Sequence, residues 1–372
     1  MKRVLCFIGN LRGGGAQRQM FELIKILHAE GYAITLLTYS RDSQFRLPKG
    51  VVWKTVNYPS RILKILSLYK FLWSNEYDVV ISFMQYYSVQ ILPFYWVNHR
   101  SRPLIICGER NITLKPDWFE PLLFWFYQNV VDYIVPNTYY QKEYISRVRP
   151  ALKEKIRVIY NCVDTGYFFS KQKKCLGFPK EIIITARYAP QKNPYMLLEV
   201  IKKLKTNHVK NIHFSWHGDL DNKADSVEKV IRNMRQIISE YSLEELISLK
   251  GYSEDPCRLY READCFCLPS LHEGVSNSML EAMSCELPCI VSSVADNPLI
   301  VRDGENGFLF NPKDIEGFYD AVMRYLNLSE EEKILMGRNA GQVVKRKFSK
   351  VAFGEAYIKL IKDDEETGGK IS

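Results

Sequence analysis

Residues 265–311 read CFCLPSLHEGVSNSMLEAMSCELPCIVSSVADNPLIVRDGENGFLFN, and this stretch decides the fold. It begins with an apolar run that Pro269 and Ser270 interrupt, which predicts a buried strand ending in a loop. A helix beginning near Asn277 or Ser278 and a second apolar strand follow directly. The order strand, loop, helix, strand is typical of α/β proteins with a parallel sheet, whose ligands bind at the carboxyl ends of the strands. We therefore expect a binding site on this loop.

Two carboxylates flank the start of the predicted helix. Glu273 lies on the loop, and Glu281 follows eight residues later, in the first turns of the helix. Ser278 and Glu281 also have the S-x-x-E spacing of a capping box, so capping the helix is an alternative role for Glu281. The first helix amides and the helix dipole favour an anion such as phosphate at this end. The candidate ligand-binding residues before and at the helix start are Gly274, Val275, Ser276, Asn277 and Ser278.

A second loop carries two cations. The segment 184–194, ITARYAPQKNP, places Arg187 at the end of a predicted strand and Lys192 in the loop after it. Arginine binds phosphate oxygens through its forked guanidinium group and lysine acts as a point charge, so the two together suit a diphosphate. A pair of solvated surface cations is the alternative interpretation.

Glycines open the first predicted helix. An apolar strand at residues 3–9 leads into Gly13, Gly14 and Gly15, and an amphipathic helix follows over 17–30. Three glycines let the backbone approach a pyrophosphate or a sugar closely, but the full G-x-G-x-x-G fingerprint of a dinucleotide site is missing from this loop. A flexible turn that binds nothing is the alternative.

Strand-like and helical segments alternate along the whole chain, and 372 residues are enough for two domains. The alternation predicts two doubly wound parallel sheets of Rossmann-like type. We place the first domain at residues 1–172 and the second at 173–349, with a polar and basic linker in 165–180. The strands expected in the first domain lie at 3–9, 33–39, 51–56, 78–83, 104–108, 133–136 and 156–160. Those expected in the second domain include 181–186, 212–216, 247–250 and 264–268.

Composition and charge exclude several classes of protein. The chain has 47% hydrophobic residues but no apolar stretch of about 20 residues and no apolar leader with a cleavage site, so we expect a cytoplasmic protein without a membrane-spanning helix. Nine cysteines, most of them within apolar runs, favour buried thiols over a disulfide framework. No nucleic-acid-binding motif accompanies the net charge of +9, so we expect no nucleic-acid partner.

These motifs together resemble those of a known family. Glu273 and Glu281 form an E-x7-E motif, and Arg187 and Lys192 form an R-x4-K motif. The loop at 13–18, GGGAQR, is similar to a GGAER-like loop. All three features resemble those of the retaining GT-B glycosyltransferases of glycosyltransferase family 4, also called glycosyl transferases group 1, and particularly its bacterial surface-polysaccharide and lipopolysaccharide members.

The resemblance implies a fold as well as an activity. A GT-B protein has two Rossmann-like domains that face each other across a cleft, the first binding the acceptor and the second binding the nucleotide-sugar donor. It also implies that the C-terminal helix, at about residues 350–364, packs back on the first domain.

The resemblance assigns roles to the charged residues. In this family the first glutamate lies beside the transferred sugar and the second hydrogen-bonds the ribose of the nucleotide, which implies a catalytic Glu273 and a donor-binding Glu281. Arg187 and Lys192 would stabilise the departing diphosphate and are also assigned to catalysis.

Other positions match the family less strongly. Gly218 and Asp219 lie where relatives have a G-x-G turn, and Tyr252 lies where they have a loop beside the base. Many relatives carry a histidine near the end of a first-domain strand, in contact with the sugar. Here Glu109 and Arg110 occupy that place, so they are the candidate contacts to the acceptor or the sugar.

The resemblance implies transfer of a hexose or N-acetylhexosamine from a nucleotide sugar, which family frequency indicates to be UDP-linked, to a polyprenyl-diphosphate-linked or other lipid-linked glycan. No metal or other cofactor is expected, because side-chain cations and helix amides already stabilise the leaving diphosphate. Two alternatives stay open. Asp219 and Asp221 form a D-x-D triplet, which in metal-dependent glycosyltransferases holds a divalent ion, and a catalytically silent relative would only bind a nucleotide sugar as a scaffold.

Basic residues are concentrated in the first half of the chain. Residues 1–172 hold 23 Lys and Arg against 12 Asp and Glu, a balance of +11, whereas residues 173–372 hold 28 against 30. Segment 60–73 mixes three cations with apolar residues at helical spacing, and segment 118–127 reads WFEPLLFWFY. Such mixtures suit a membrane interface, although packing of both segments on the sheet is the alternative. We expect the first domain to bind the anionic inner face of the cell membrane peripherally.

Overall fold

A computed structural model describes residues 1–58, 60–98, 102–110, 118–170, 179–221 and 224–366 of the chain. The chain divides into two compact units. The first contains Met1–Cys162 together with the C-terminal segment from Lys350, and the second contains Val163–Ser349.

The boundary between the units falls earlier than the sequence predicted. The chain enters the second unit at Val163 rather than after residue 172. The physical reason is Phe168, which is buried in the second unit with its ring centroid 6.0 Å from that of Tyr260. Of the predicted linker at 165–180, residues 171–178 lie outside the described part of the chain.

The first unit is built from parallel strands that alternate with helices. The strands are β1 (Arg3–Phe7), β2 (Ala33–Thr38), β3 (Val52–Thr55), β4 (Val79–Phe83), β5 (Leu104–Glu109) and β6 (Tyr133–Pro136). The helices between and after them are α1 (Gly15–Ala29), α2 (Arg61–Trp73), α3 (Gln85–Val97), α4 (Glu120–Asn129) and α5 (Tyr139–Val148), and a 3₁₀ helix covers Pro150–Lys155. The sheet order is β3-β2-β1-β4-β5-β6, with every neighbouring pair parallel.

The strand predicted at 156–160 is wrong, and a proline explains why. This segment makes one isolated bridge, between Ile156 and Ile134, and Arg157 N–H donates to Ile134 O at 2.9 Å. Successive N–H groups of a strand point to opposite sides, and Asn137 N–H donates to Glu109 O on β5. Position 136 therefore faces the segment, and Pro136 has no N–H with which to extend the ladder.

The second unit repeats the same architecture. Its strands are β7 (Lys180–Thr185), β8 (Ile212–His217), β9 (Ile247–Lys250), β10 (Cys265–Leu268), β11 (Cys289–Ser292) and β12 (Gly307–Phe310). Its helices are α6 (Pro194–Thr206), α7 (Asp225–Glu240), α8 (Pro256–Glu262), α9 (Asn277–Ser284), α10 (Asn297–Ile300), α11 (Ile315–Leu326) and α12 (Glu330–Lys347). The sheet order is β12-β11-β10-β7-β8-β9, again all parallel. The predicted fold class, two doubly wound parallel sheets, is confirmed.

Helices cover both faces of the first sheet. One face packs against α1 and the last helix, α13 (Lys350–Glu366), and the other packs against α2, α3 and α4. Helix α13 belongs to the first unit because Phe353 and Tyr357 are buried in its core. The packing is close, since a Cβ on Gly354 would lie 2.6 Å from the Ile26 side chain of α1. Within the described residues, no helix is both long enough and apolar enough to cross a membrane.

Candidate active site

The candidate site lies at the switch point of the second sheet. Strand β7 starts the sheet, β8 and β9 extend it on one side, and β10 lies on the other, so the strand order reverses between β7 and β10. In sheets of this kind the crevice beyond the carboxyl ends of these two strands is where ligands bind. The loops that follow β7 and β10 are joined there: Leu271 N–H donates to Gln191 O at 2.9 Å, and Gln191 Nε2 donates to His272 O at 2.9 Å.

Two residues predicted from separate motifs meet in this crevice. The Lys192 ammonium group donates to Glu273 Oε2 in an ion pair, and Ser270 Oγ donates to the same oxygen at 3.1 Å. The side chains of Lys192 and Glu273 are only 10% and 15% exposed. A mostly buried carboxylate and a mostly buried cation therefore form an ion pair at the switch point.

Local sequence explains how Lys192 reaches this position. It ends a short 3₁₀ helix, Pro190–Lys192, and Asn193 then adopts the left-handed conformation with φ of 55°. Asparagine tolerates this conformation better than most residues, and the side-chain amide of Asn193 donates a hydrogen bond to Pro312 O at 2.9 Å. Pro194, whose missing N–H costs nothing at a first helical position, begins α6. Arg187 lies earlier on the same loop and is exposed.

Helix α9 begins at a different cap from the one predicted. Ser276 is the N-cap, and its hydroxyl accepts from Met279 N–H at 3.4 Å and lies 3.0 Å from the Ser278 hydroxyl. The capping box proposed for Ser278 and Glu281 is therefore wrong, because capping by Ser276 places Glu281 inside the helix. Gly274 and Val275 precede the cap, and Asn277 is the first helical residue.

Glu281 is held inside the unit. It is 6% exposed, and Tyr260 of α8 donates a hydrogen bond to its Oε2 at 3.1 Å. The Tyr260 hydroxyl is also 2.7 Å from the Thr185 hydroxyl at the end of β7. These two hydrogen bonds link the carboxyl end of β7 to α9. Capping of the helix therefore does not account for Glu281.

The loops after β8 and β9 adjoin the same edge of the sheet. Gly218 is required by close contact, since a Cβ there would lie 2.5 Å from Ala186 O on the neighbouring loop. Asp219 is exposed, and its Oδ1 accepts from Asp221 N–H at 3.1 Å, so the D-x-D triplet forms a local turn. Across the described ranges no group of three or more His, Cys, Asp or Glu side chains could hold a metal ion. Tyr252 is 78% exposed.

The glycine loop lies in the first unit, at the carboxyl end of β1. Gly13 and Gly14 have φ of 45° and 124°, backbone conformations that residues other than glycine rarely adopt, and Gly14 is the N-cap of α1. Gly15 is the first residue of the helix. The glycines are thus needed for the turn itself, and the amides of α1 begin directly after it.

Glu109 and Arg110 are both buried in the first unit. Burial raises the pKa of Glu109 to about 7, and Tyr127 donates a hydrogen bond to its Oε1. Arg110 Nη1 donates to Ile159 O at 3.2 Å and to Asn161 Oδ1 at 3.3 Å, and its Nη2 donates to the Tyr357 hydroxyl of α13. Its guanidinium carbon also lies 4.3 Å from the Phe83 ring centroid. Arg110 therefore joins α13 to the sheet and is not oriented towards solvent.

Sequence reasoning missed three polar residues of the site. Ser270 supplies the second hydrogen bond to Glu273, and its position three residues earlier on the same short loop was a usable signal. Tyr260 and Thr185 contact Glu281 or each other across long sequence separations, so only the packing of α8 between β7 and α9 reveals them.

Comparison with known proteins gives the geometry a context. Residues 179–327 match the family described as Glycosyl transferases group 1, and residues 13–167 match Glycosyltransferase Family 4. The UDP-Gal:alpha-D-GlcNAc-diphosphoundecaprenol alpha-1,3-galactosyltransferase of Escherichia coli is 31% identical over 180 residues, covering 46% of this chain and 45% of that protein. The chain thus matches about half the length of that relative.

Two further comparisons extend over nearly the whole chain. The N-acetylgalactosamine-N,N'-diacetylbacillosaminyl-diphospho-undecaprenol 4-alpha-N-acetylgalactosaminyltransferase of Campylobacter jejuni is 22% identical over 380 residues, covering 97% of this chain and 100% of that protein. The crystal structure of Anabaena HepE in complex with UDP superposes with a TM-score of 0.82 at 15% identity, covering 98% of this chain and 100% of that one.

The two Rossmann-like sheets and the structural match over nearly the whole chain show that this protein has the GT-B fold. The family matches to residues 13–167 and 179–327 identify its family. The chain belongs to glycosyltransferase family 4, glycosyl transferases group 1.

Proposed function

We propose that this protein transfers a hexose or N-acetylhexosamine from a UDP-sugar to a lipid-linked glycan, with retention of configuration and without a metal ion. The observation that carries the proposal is the Lys192–Glu273 ion pair at the switch point of the second sheet. The second unit is the donor-binding unit in this proposal, since the charged pair, the start of α9 and Glu281 all lie on its carboxyl edge.

The residues divide between the two charges that develop during transfer. The bond between the anomeric carbon and the diphosphate oxygen breaks, the acceptor oxygen forms a new bond to that carbon on the same face, and the acceptor proton passes to the departing phosphate. Lys192, Arg187 and the first amides of α9 stabilise the negative charge on the diphosphate. Glu273 stabilises the positive charge on the sugar, and Glu281 binds the ribose.

The names of the relatives support the choice of donor and acceptor. The Escherichia coli protein is named for a UDP-linked galactose donor and a diphosphoundecaprenol acceptor, and the Campylobacter jejuni protein is named for a diphospho-undecaprenol acceptor. The HepE structure contains UDP. We extend these features to this chain as a UDP-sugar donor and a polyprenyl-diphosphate-linked acceptor used in surface-polysaccharide assembly.

A donor screen in the presence of chelator tests the proposal. UDP-sugars, but not GDP- or ADP-sugars, should raise the melting temperature and be hydrolysed or transferred, with the rate unchanged in EDTA, because side chains and amides supply the positive charge that a metal would supply. Activity that EDTA abolishes, that Mn²⁺ restores and that Asp219→Ala removes would instead favour the D-x-D mechanism. Binding of a UDP-sugar without hydrolysis or transfer to any lipid-linked acceptor would indicate a scaffold.

The outer surface of the first unit supports peripheral binding to the membrane. Helix α2 buries Leu68 and Leu72 and half-buries Ile65, Tyr69 and Phe71, whereas its remaining apolar side chains are exposed. Exposed apolar side chains of α2, α3 and α4, together with Trp118 two residues before α4, include Ile62, Leu63, Leu66, Trp73, Trp96, Val97, Trp118, Leu122 and Trp125. The three helices pack side by side, and the ring centroids of Trp96 and Trp125 lie 4.7 Å apart. We call this surface the aromatic face.

Cations accompany the aromatic face. Arg61 and Lys70 of α2 are exposed beside its apolar side chains, whereas Lys64 is half-buried, 5.0 Å from the Tyr39 ring centroid. Each exposed cation near an anionic leaflet contributes about 1 kcal/mol, and inserted tryptophans add apolar burial. We propose that this face docks on the inner face of the cell membrane, which brings the enzyme to a lipid-linked acceptor.

Liposome co-sedimentation tests the aromatic face. Replacing Ile62 and Leu66 together by serine should lower binding to vesicles rich in anionic lipid by about ten-fold, because two exposed apolar side chains no longer insert. Replacing Arg61 and Lys70 by glutamate should remove the dependence on salt. Leu335→Ser is the matched control, since Leu335 of the second unit is as exposed as Leu66, at 58%. Equal sedimentation of all variants would exclude this face.

A further inference from the structure

Tyr260 is the buried residue that holds Glu281. It is 1% exposed, and its ring contacts those of Phe168 and Phe266, with centroid distances of 6.0 and 6.3 Å. These contacts fix the ring, and the hydroxyl then has two neighbours, Glu281 Oε2 at 3.1 Å and Thr185 Oγ1 at 2.7 Å. The three side chains come from α8, α9 and β7.

The direction of these hydrogen bonds follows from the chemistry of the groups. A carboxylate only accepts, so the single proton of Tyr260 is donated to Glu281. The Tyr260 oxygen is then the acceptor for Thr185, whose hydroxyl donates. Burial holds the pKa of Tyr260 well above its usual value, and the neighbouring Glu281 raises it further, so the donor keeps its proton throughout the physiological range.

We propose that Tyr260 is a positioning residue that fixes the Glu281 carboxylate for recognition of the ribose hydroxyls of the donor. This inference rests on the proposed function, in which Glu281 binds the ribose. Thr185 completes the arrangement, because it ties the hydroxyl of Tyr260 to the end of the strand that leads into the Arg187 and Lys192 loop. The residue that contacts the ribose and the loop that contacts the diphosphate are thereby connected through Tyr260 and Thr185.

A binding cycle with two nucleotides isolates this role. Titration calorimetry with UDP and with 2′-deoxy-UDP or 3′-deoxy-UDP measures how strongly the protein recognises each ribose hydroxyl. In the wild type, at least one deoxy nucleotide should bind about ten-fold more weakly than UDP. In Tyr260→Phe, which keeps the ring but removes the donor, UDP should bind about ten-fold more weakly and the preference over the deoxy nucleotide should fall to about two-fold.

Kinetics and controls separate positioning from a structural effect. Tyr260→Phe should raise KM for the UDP-sugar while kcat stays within about two-fold, because the ribose contact is made in ground and transition states alike. Thr185→Val should raise KM in the same direction but more weakly. Thr185→Ser, which keeps the hydroxyl, should leave KM and kcat at wild-type values. Tyr325→Phe is the control: Tyr325 is equally buried in the same unit, and its hydroxyl donates to Asp264 O at 3.0 Å, at the amino end of β10.

The outcomes distinguish this inference from the proposed function. If the wild type binds neither UDP nor a UDP-sugar, the proposed function is wrong and the inference falls with it. If the wild type prefers UDP over a deoxy nucleotide and both Tyr260→Phe and Thr185→Val keep the full preference, the proposed function stands and the positioning role is wrong. A lowered melting temperature with an unchanged nucleotide preference would also overturn the positioning role.

Discussion

Replacing Glu273 by glutamine should lower kcat by about 100- to 1,000-fold and leave KM for the donor within about three-fold of the wild type. The change keeps the size of the side chain and removes the charge that we assign to the reacting sugar. Binding of the diphosphate should not weaken, because Lys192 no longer pairs with a carboxylate on the neighbouring loop and stays available to the phosphate. Steady-state kinetics with the donor varied at saturating acceptor measures both constants.

A second buried pair provides the control for this experiment. Lys180 and Asp264 are 3.8 Å apart with side chains 6% and 10% exposed, at the amino ends of β7 and β10. They flank the same two strands as Lys192 and Glu273, at the opposite edge. Asp264→Asn should therefore lower the melting temperature without changing kcat per folded enzyme. Near-normal turnover in Glu273→Gln would remove Glu273 from the chemistry.

Lys192→Ala should have the second large effect, a loss of about 1,000-fold in kcat/KM for the donor. Two causes act together. The diphosphate loses its mostly buried cation, and Glu273, which is only 15% exposed, loses its cationic partner and keeps only the Ser270 hydrogen bond described above. Breaking a mostly buried pair from one side should also lower the free energy of unfolding by about 3 kcal/mol, at the low end for such pairs because some solvent reaches this one.

A double variant separates the two effects of Lys192. Lys192→Met combined with Glu273→Gln removes both charges and keeps similar volumes, so stability should return towards the wild type while activity stays lost. Denaturant unfolding and donor kinetics on the same preparations give the comparison. Lys180→Met should destabilise the protein with little change in kcat/KM. Retained activity in Lys192→Ala would show that Arg187 and the helix amides are sufficient for the diphosphate.

The strands were predictable because they are buried on both faces. In a parallel sheet covered by helices, each strand is a short apolar run bounded by polar turns, and this pattern is visible without any contact information. The one strand predicted in error, 156–160, has the same apolar pattern. It fails because of a missing N–H on the neighbouring segment, at Pro136, which the pattern of the segment itself does not contain.

The site was predictable to the level of its loops. The carboxyl ends of neighbouring parallel strands share one edge of a sheet, so motifs 81 residues apart in sequence, at Lys192 and Glu273, could be expected to come together. The ion pair between them could not be predicted, because it depends on how far each of the two loops extends beyond the edge of the sheet. The cap of α9 was misjudged for a related reason: Ser276 and Ser278 are both good caps, and loop geometry selects the first.

Helix α13 makes the order of synthesis differ from the order of completion. Phe353 and Tyr357 fill the core of the first unit, and Tyr357 is also the partner of Arg110. On the ribosome the first unit therefore emerges with the part of this sheet face that α13 will cover still exposed, and it stays incomplete while all of Val163–Ser349 is translated. The second unit is continuous in sequence and has every one of its own strands before α13 exists. The part of the chain made first is thus finished last, and its exposed apolar face is the one that nascent-chain chaperones would meet.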